Sequence, residues 1–234
     1  FLGWRSFDFL IIFVSQRIIP YLGFFPYKDQ LPGFNLPHWL SSLANFDGLH
    51  YISIARDGYA QYEQAFFPLY PLSIKLMTPL FLNNQLLTGI IISNISFLLG
   101  LFFFYKYLKL IFPNNQQFNN LTIIFILLFP TSFFFGAVYT EGLFFLLFVL
   151  TLYFLKKENY LLVAIFAFLA SLTRFVGVFL IILILFNLIQ KSKVKSQNYN
   201  LKVKSLLILS PLLGLGLYCF YLFKTTGDPF FFLT

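Results

Sequence analysis

Leu86-Leu87-Thr88-Gly89-Ile90-Ile91-Ile92-Ser93-Asn94-Ile95-Ser96-Phe97-Leu98-Leu99-Gly100-Leu101-Phe102-Phe103-Phe104-Tyr105 runs for twenty residues without a charged side chain. A helix of that length measures about 30 Å, the thickness of a bilayer's hydrocarbon core. Further apolar helices are predicted at about 7–25, 121–138, 142–155, 160–173, 175–190 and 205–223. The stretch 66–82 is also apolar, but Pro68, Pro71 and Pro79 interrupt it. The predicted class is all-α: a polytopic transmembrane bundle of about seven crossings plus a re-entrant or interfacial segment at 66–82. All of residues 1–234 read as one transmembrane domain, with a long outer loop at 26–65.

Composition supports that class. The chain is 59% hydrophobic and only 10% charged, with 36 phenylalanines and mean hydropathy +0.81. A soluble chain carries about 25% charged residues and leaves roughly half its residues facing water. The formal charge of +8 raises nucleic acid as a partner. Nucleic acid is excluded here because the lysines lie in short gaps between apolar runs, the placement produced by the positive-inside rule. Cys219 is the single cysteine, so no disulfide can form within this chain and no metal site can be built on it. No secretory signal is evident. The chain begins at Phe1, which suggests that the natural amino terminus lies upstream.

Charge also predicts orientation. With the amino terminus cytoplasmic and 66–82 not crossing, Arg5, Lys106, Lys109, Lys156, Lys157, Lys191, Lys193, Lys195, Lys202 and Lys204 all face the cytoplasm, ten of the 16 basic residues. A crossing at 66–82 would instead put the loop Lys191 to Lys204 outside, against the rule. The favoured topology gathers loop 26–65, the turn Tyr139-Thr140-Glu141, Arg174 and Gly227-Asp228-Pro229 at the outer face. Segments 142–155 and 160–173 are short, about 21 Å each. Their ends are expected below the membrane surface, around a recessed cavity.

Four places carry candidate chemistry. Asn45 to Tyr59 predicts a short surface helix, with Leu49, Ile52 and Ala55 as its apolar stripe and His50, Ser53 and Asp57 as its polar one. Gly58 stands where that helix should stop. Asp47 is either the cap of this helix or a catalytic base, and the two roles are compatible. Glu141, between two apolar helices, is either an acid at a positive helix end with Thr140 as cap, or a group lining a cavity. Arg174, with no Lys or Arg within fifteen residues on either side, is either a phosphate ligand or half of an ion pair with Glu141 or another acid. Arg17 either snorkels or pairs with an acid. His38 and His50 lack a zinc-ligand spacing. Phosphate-loop, dinucleotide-binding and nucleophile-elbow patterns are missing as well.

Taken together these residues resemble a known family. Phe46-Asp47-Gly48-Leu49-His50-Tyr51 through Ala55-Arg56-Asp57-Gly58-Tyr59, then Phe66-Phe67-Pro68-Leu69-Tyr70-Pro71, resembles the first outer loop of the PIG-V (GPI mannosyltransferase 2) family. Phe129-Pro130-Thr131-Ser132-Phe133-Phe134 leading to Tyr139-Thr140-Glu141-Gly142 is similar to a second signature. Leu169 to Gly177 resembles a third, and Gly227-Asp228-Pro229 a weaker fourth. The resemblance implies a GT-C membrane glycosyltransferase that uses a polyprenyl-phosphate sugar, typically mannose, on the non-cytoplasmic face. That face belongs to the plasma membrane in a bacterium and to the endoplasmic reticulum in a eukaryote.

The resemblance further implies Asp47 as catalytic base, since the family has an acid in this loop. Glu141 and Arg174 match polar positions near the family's site. His50 or Tyr51 is expected to position a sugar hydroxyl, Tyr70 to support the loop, and Asp228 to take part in substrate binding. The expected partners are the lipid-linked donor, a lipid or glycan acceptor, and membrane lipids. No cofactor is expected, although Asp47 with a second carboxylate could hold a divalent metal weakly. Phe46 stands where the family often has Trp, which keeps an aromatic. The chain ends at Thr234, where family members usually continue with more helices, so a fragment or reduced version is expected. The competing readings are a polytopic transporter or lipid flippase, and a non-catalytic membrane subunit. No inverted repeat is visible, and the polar residues gather at one face instead of the midplane, which favours the enzyme.

Overall fold

The computed structural model describes residues 1–19, 28–194 and 201–233, with the side chains of 191–206 also outside the described part. Every regular element among the described residues is helical. Chain order gives α1 (Leu2–Ile18), α2 (His38–Ser41), α3 (Asp47–Asp57), α4 (Leu69–Met77), α5 (Gln85–Ile111), α6 (Gln116–Leu128), α7 (Glu141–Lys156), α8 (Tyr160–Thr173), α9 (Leu180–Val194) and α10 (Leu201–Thr226). Short 3-10 turns join several of them, notably Ser132–Gly136 and Phe175–Phe179.

Local chemistry explains where these helices begin. Asn84, Asn115 and Asn159 precede α5, α6 and α8, and each side-chain oxygen accepts from a backbone N–H three residues on, at 3.0, 3.0 and 3.3 Å. Such caps satisfy donors that the helix cannot satisfy itself. The apolar run expected as one helix over 121–138 is broken. α6 ends at Leu128, Phe129 turns extended at φ −64° and ψ 134°, and Pro130 follows. Proline disfavours helical geometry in the residue before it, which is the physical reason for the break. The chain then folds back as the 3-10 turn Ser132–Gly136, held by the Ser132 hydroxyl on the Leu127 carbonyl at 2.8 Å.

By length and composition, α5 and residues Leu207–Thr226 of α10 are the two helices able to cross a membrane among the described residues. α7 and α8, at 16 and 14 residues, span about 24 and 21 Å. They are shorter than a bilayer core. Segment 66–82 yields α4 and the 3-10 turn Thr78–Leu80, with Pro71 in the helix's first turn. The first helix starts earlier than expected, at Leu2, and the end expected at 25 falls outside the described residues, as do residues 195–200.

α5 packs along α7, α7 along α8, and α8 along α10. Small residues set the close approaches. A Cβ on Gly142 would lie 2.6 Å from the Ser93 carbonyl oxygen of α5, and one on Gly214 would lie 2.5 Å from the Phe168 carbonyl oxygen of α8. Small residues at such contacts let helix backbones approach closely, the usual way apolar helices associate in lipid. Against this frame α3 and α4 pack through Leu49, Ile52, Ala55, Tyr70 and Ile74 onto Leu86, Ile90 and Val138. The apolar stripe expected for α3 is therefore its buried face, widened by Tyr51 and Ile54.

Candidate active site

Three helix ends meet. Asp47 is the first residue of α3, Glu141 the first of α7, and Arg174 follows the last residue of α8. Acids at helix starts and a base at a helix end each complement the local helix dipole. The ends are fastened by backbone. The Val138 N–H donates to the Leu43 carbonyl at 2.9 Å, and the Tyr139 hydroxyl donates to the Asn45 carbonyl at 2.8 Å. Gly48 makes room for this contact, since a Cβ there would meet the Val138 carbonyl oxygen at 3.0 Å.

Arg174 Nη1 donates to Glu141 Oε1 at 2.5 Å, with both side chains partly exposed. The other carboxylate oxygen, Glu141 Oε2, is buried and has no partner among the described residues. The ion pair foreseen as one role for Arg174 is present, and the arginine side chain remains 39% exposed. Thr140 occupies the cap position of α7, but its hydroxyl does not cap the helix. That hydroxyl instead lies near enough to the buried Tyr51 phenol to act on its ionisation.

Tyr51 is the hub of the group. Burial pushes its phenol up to about 12, with the Thr140 hydroxyl acting in the opposite direction. The charges of Glu141, Arg174 and Asp47 all reach it. Tyr139 is likewise raised by burial, and both Asp47 and Glu141 act on it. Behind Tyr51, Tyr70 lies edge-on at 5.2 Å between ring centroids. The fully buried Tyr70 hydroxyl donates to the Gly89 carbonyl at 3.0 Å and sits 2.7 Å from Ser93 Oγ.

Asp47 departs from one expectation. The cap position of α3 belongs to Phe46, and no side chain caps the helix. Asp47 lies one residue inside, and its exposed carboxylate accepts no hydrogen bond from the described residues. The reason is the turn before it. Phe46 has φ 57° and ψ −121°, a left-handed backbone that non-glycine residues rarely adopt and that clusters at functional sites. That turn carries the chain into α3 one residue earlier than a capping Asp47 would require.

His50 is held by a different acid. Its Nδ1 lies 2.9 Å from Glu63 Oε1, and its ring stacks on Phe66 at 4.9 Å. Glu63 is buried and also accepts from the Ala60 N–H at 2.9 Å through its other oxygen. Sequence reasoning missed Glu63. The signal available was that it is the single acid between Asp57 and Glu141. Asp228 makes a local turn, its Oδ1 accepting from the Phe230 N–H at 2.8 Å. No described contact joins it to the group around Tyr51, so five of the seven candidates (Asp47, Tyr51, Tyr70, Glu141 and Arg174) come together and His50 adjoins them. Arg17 stacks its guanidinium over Phe13, 3.7 Å from the ring centroid. No cluster of three His, Cys, Asp or Glu side chains suited to a metal ion occurs among the described residues.

The family model described as Mannosyltransferase (PIG-V) matches residues 33–226. The chain belongs to the PIG-V mannosyltransferase family. The matched span contains α3, the turn before α7 and the end of α8, and so every residue of the PIG-V group around Tyr51. Asp228 lies just beyond it. No curated protein and no solved structure matches the chain.

Proposed function

We propose that this PIG-V family member transfers a mannosyl residue from a polyprenyl phosphate to a hydroxyl of a lipid or glycan acceptor, with inversion, on the non-cytoplasmic face of a membrane. The proposal includes the GT-C class and a bundle of about seven crossings with α4 as a re-entrant or interfacial piece. The observation that carries it is the contrast between two carboxylates. Glu141 is committed to Arg174, whereas Asp47 is exposed and accepts no hydrogen bond from the described residues. A general base must be open to the proton it takes.

In the proposed step the acceptor hydroxyl attacks the anomeric carbon and gives its proton to Asp47. The bond between that carbon and the phosphate oxygen breaks on the opposite side, which inverts the centre, as in single-displacement glycoside chemistry. Glu141 fixes Arg174 by one Nη, and the remaining guanidinium donors serve the departing phosphate. Tyr51, held neutral by burial, is a donor or acceptor for a sugar hydroxyl, and Tyr70 backs it. His50, oriented by Glu63, flanks the sugar. The bond energy comes from the donor, so the reaction needs no nucleotide.

The test is transfer from radiolabelled polyprenyl-phosphate mannose, in membranes holding either the parent chain or Asp47→Asn at equal expression, with lipid extract as acceptor. Transfer by the parent and its loss in the variant are expected. Equal transfer by both would remove Asp47 from the step. Mannolipid movement across sealed vesicles without transfer would replace the enzyme by a flippase.

A further inference from the structure

Residues 58–68, between α3 and α4, form no regular helix. This loop carries two partners of the His50 ring. Glu63 Oε1 lies 2.9 Å from Nδ1, and Phe66 stacks on the imidazole at 4.9 Å while meeting Tyr51 edge-on at 5.1 Å. An ionised carboxylate only accepts, so the Glu63 contact selects the tautomer with its proton on Nδ1. That selection lasts only while the loop keeps its shape. The loop's own hold is slight. The Glu63 N–H donates to the Ala60 carbonyl at 3.3 Å and the Phe66 N–H to the Glu63 carbonyl at 3.0 Å. The Gln64 side chain turns back onto the Ala60 carbonyl at 3.0 Å, and its buried Oε1 has no partner among the described residues.

Two tyrosine hydroxyls supply a firmer hold. Tyr218 of α10 is almost fully buried and donates to the Gln64 carbonyl at 2.6 Å, across 154 residues of chain. Tyr59 donates to the Phe66 carbonyl at 2.7 Å. The Tyr59 ring lies 6.1 Å from that of Tyr218, and Tyr218 lies 4.9 Å from Phe67, so the loop is pressed against α10 as well as tied to it. One gripped carbonyl belongs to the residue after Glu63 and the other to Phe66 itself. We infer that Tyr218 is a positioning residue: from α10 it holds the loop whose Glu63 and Phe66 set the tautomer and plane of His50. Without the Tyr218 hydroxyl a buried carbonyl loses its donor, which costs more than an average hydrogen bond contributes. The loop then turns to find that carbonyl a new partner, and Glu63, one residue earlier, moves with it. Only the kinetic consequence rests on the place given above to His50 beside the sugar.

The experiment reads the imidazole directly. The full chain is labelled with ¹⁵N-histidine and placed in phosphatidylcholine nanodiscs, with His38, the only other histidine, as internal reference. Parent His50 should show one tautomer, protonated at Nδ1. Tyr218→Phe keeps the buried ring and removes only the hydroxyl. It should spread His50 over both tautomers and leave His38 unmoved. Tyr59→Phe, which releases the Phe66 carbonyl, should do the same. Tyr221→Phe is the control for a general loosening of α10, since its ring stacks on Tyr218 at 6.3 Å. It should leave His50 as in the parent. In transfer assays Tyr218→Phe should raise KM for polyprenyl-phosphate mannose about two- to tenfold and leave kcat within about twofold. Added to Glu63→Ala, it should raise KM no further, because both changes act through one contact.

A His50 spectrum in Tyr218→Phe identical to the parent would overturn the inference. A change equally large in Tyr221→Phe, or KM effects that multiply in the double variant, would do so too. Mixed tautomers with KM unchanged would leave Tyr218 as the residue that positions His50 and remove His50 from the sugar. Mixed tautomers with no transfer by the parent would sink the proposed reaction alone.

Discussion

Arg174 and Glu141, 33 residues apart in the chain, join the end of α8 to the start of α7 through one guanidinium–carboxylate contact at 2.5 Å. Arg174→Ala strips the partner from a carboxylate whose other oxygen is already buried and unpaired. It should cost about 1–3 kcal/mol of stability. Adding Glu141→Ala should then cost less than in the parent background, because the two changes share one contact. A double-mutant cycle by SDS titration in mild detergent measures this coupling, and a coupling near zero would show that the pair contributes nothing to folding.

Asp47→Asn should separate chemistry from stability. The carboxylate is exposed and takes no hydrogen bond from the described residues, so the unfolding midpoint should move by no more than about 0.5 kcal/mol. Transfer should fall by roughly 10²–10⁴. Asp47→Glu should also lose most activity, since a longer side chain moves the base off its position. A large loss of stability in either variant would mean that Asp47 serves the fold.

Gly142→Ala should be poorly tolerated. The new methyl would press on two backbone carbonyl oxygens, of Ser93 at 2.6 Å and Phe135 at 2.7 Å, and backbone cannot swing aside. A loss of about 1–3 kcal/mol is expected, the usual range for overpacking. Because Gly142 follows Glu141, the displaced α7 should also weaken transfer. Thermal unfolding in detergent checks the first effect, and an unchanged midpoint would show that α5 and α7 lie further apart than described.

Glu63→Ala removes the partner of both His50 Nδ1 and the Ala60 N–H. His50 should then lose its fixed orientation, with a higher KM for the sugar donor and a smaller change in kcat. Glu63→Gln, which can still accept from Ala60, should restore part of the KM. The imidazole nitrogens can be followed by ¹⁵N labelling, since His38 is the only other histidine. A His50 spectrum identical in parent and Glu63→Ala would end the role assigned to Glu63.

Tyr51 makes stability depend on alkaline pH. Its phenol sits at about 12 in the fold against an ordinary value of 10.0. The folded state therefore holds the proton where the unfolded chain gives it up. The contribution is complete below pH 10 and is lost as pH rises through about 12. Unfolding midpoints of the parent and Tyr51→Phe, compared from pH 8 to 12, should converge toward the alkaline end. Parallel curves would place Tyr51 in contact with water.

Much of this arrangement was legible in the residues. α5 followed from an uncharged run, α3 from its stripe of Leu49, Ile52 and Ala55, and its stop from a glycine after the last residue of that pattern, Gly58, whose φ is 89° in the structure. The Glu141–Arg174 pair was one of the alternatives left open for Arg174, because isolated charges between apolar runs need partners. The turn at Phe46 was not legible, because nothing in an aromatic residue announces a left-handed backbone. Glu63 was hidden for a related reason: its importance lies in a histidine thirteen residues earlier that only folding brings near. The break at Phe129-Pro130 could have been read from the proline rule, had the apolar character of 121–138 not outweighed it.

The hydrogen bond from Val138 to Leu43 has a consequence for biosynthesis. A ribosome releases Asp47 long before it reaches Tyr139, Glu141 and Arg174, so the nascent amino-terminal loop emerges with no counterpart to close on. Until translation has passed residue 174, the proposed base exists without the proposed phosphate ligand. Activity should therefore appear abruptly in a series of carboxy-terminal truncations.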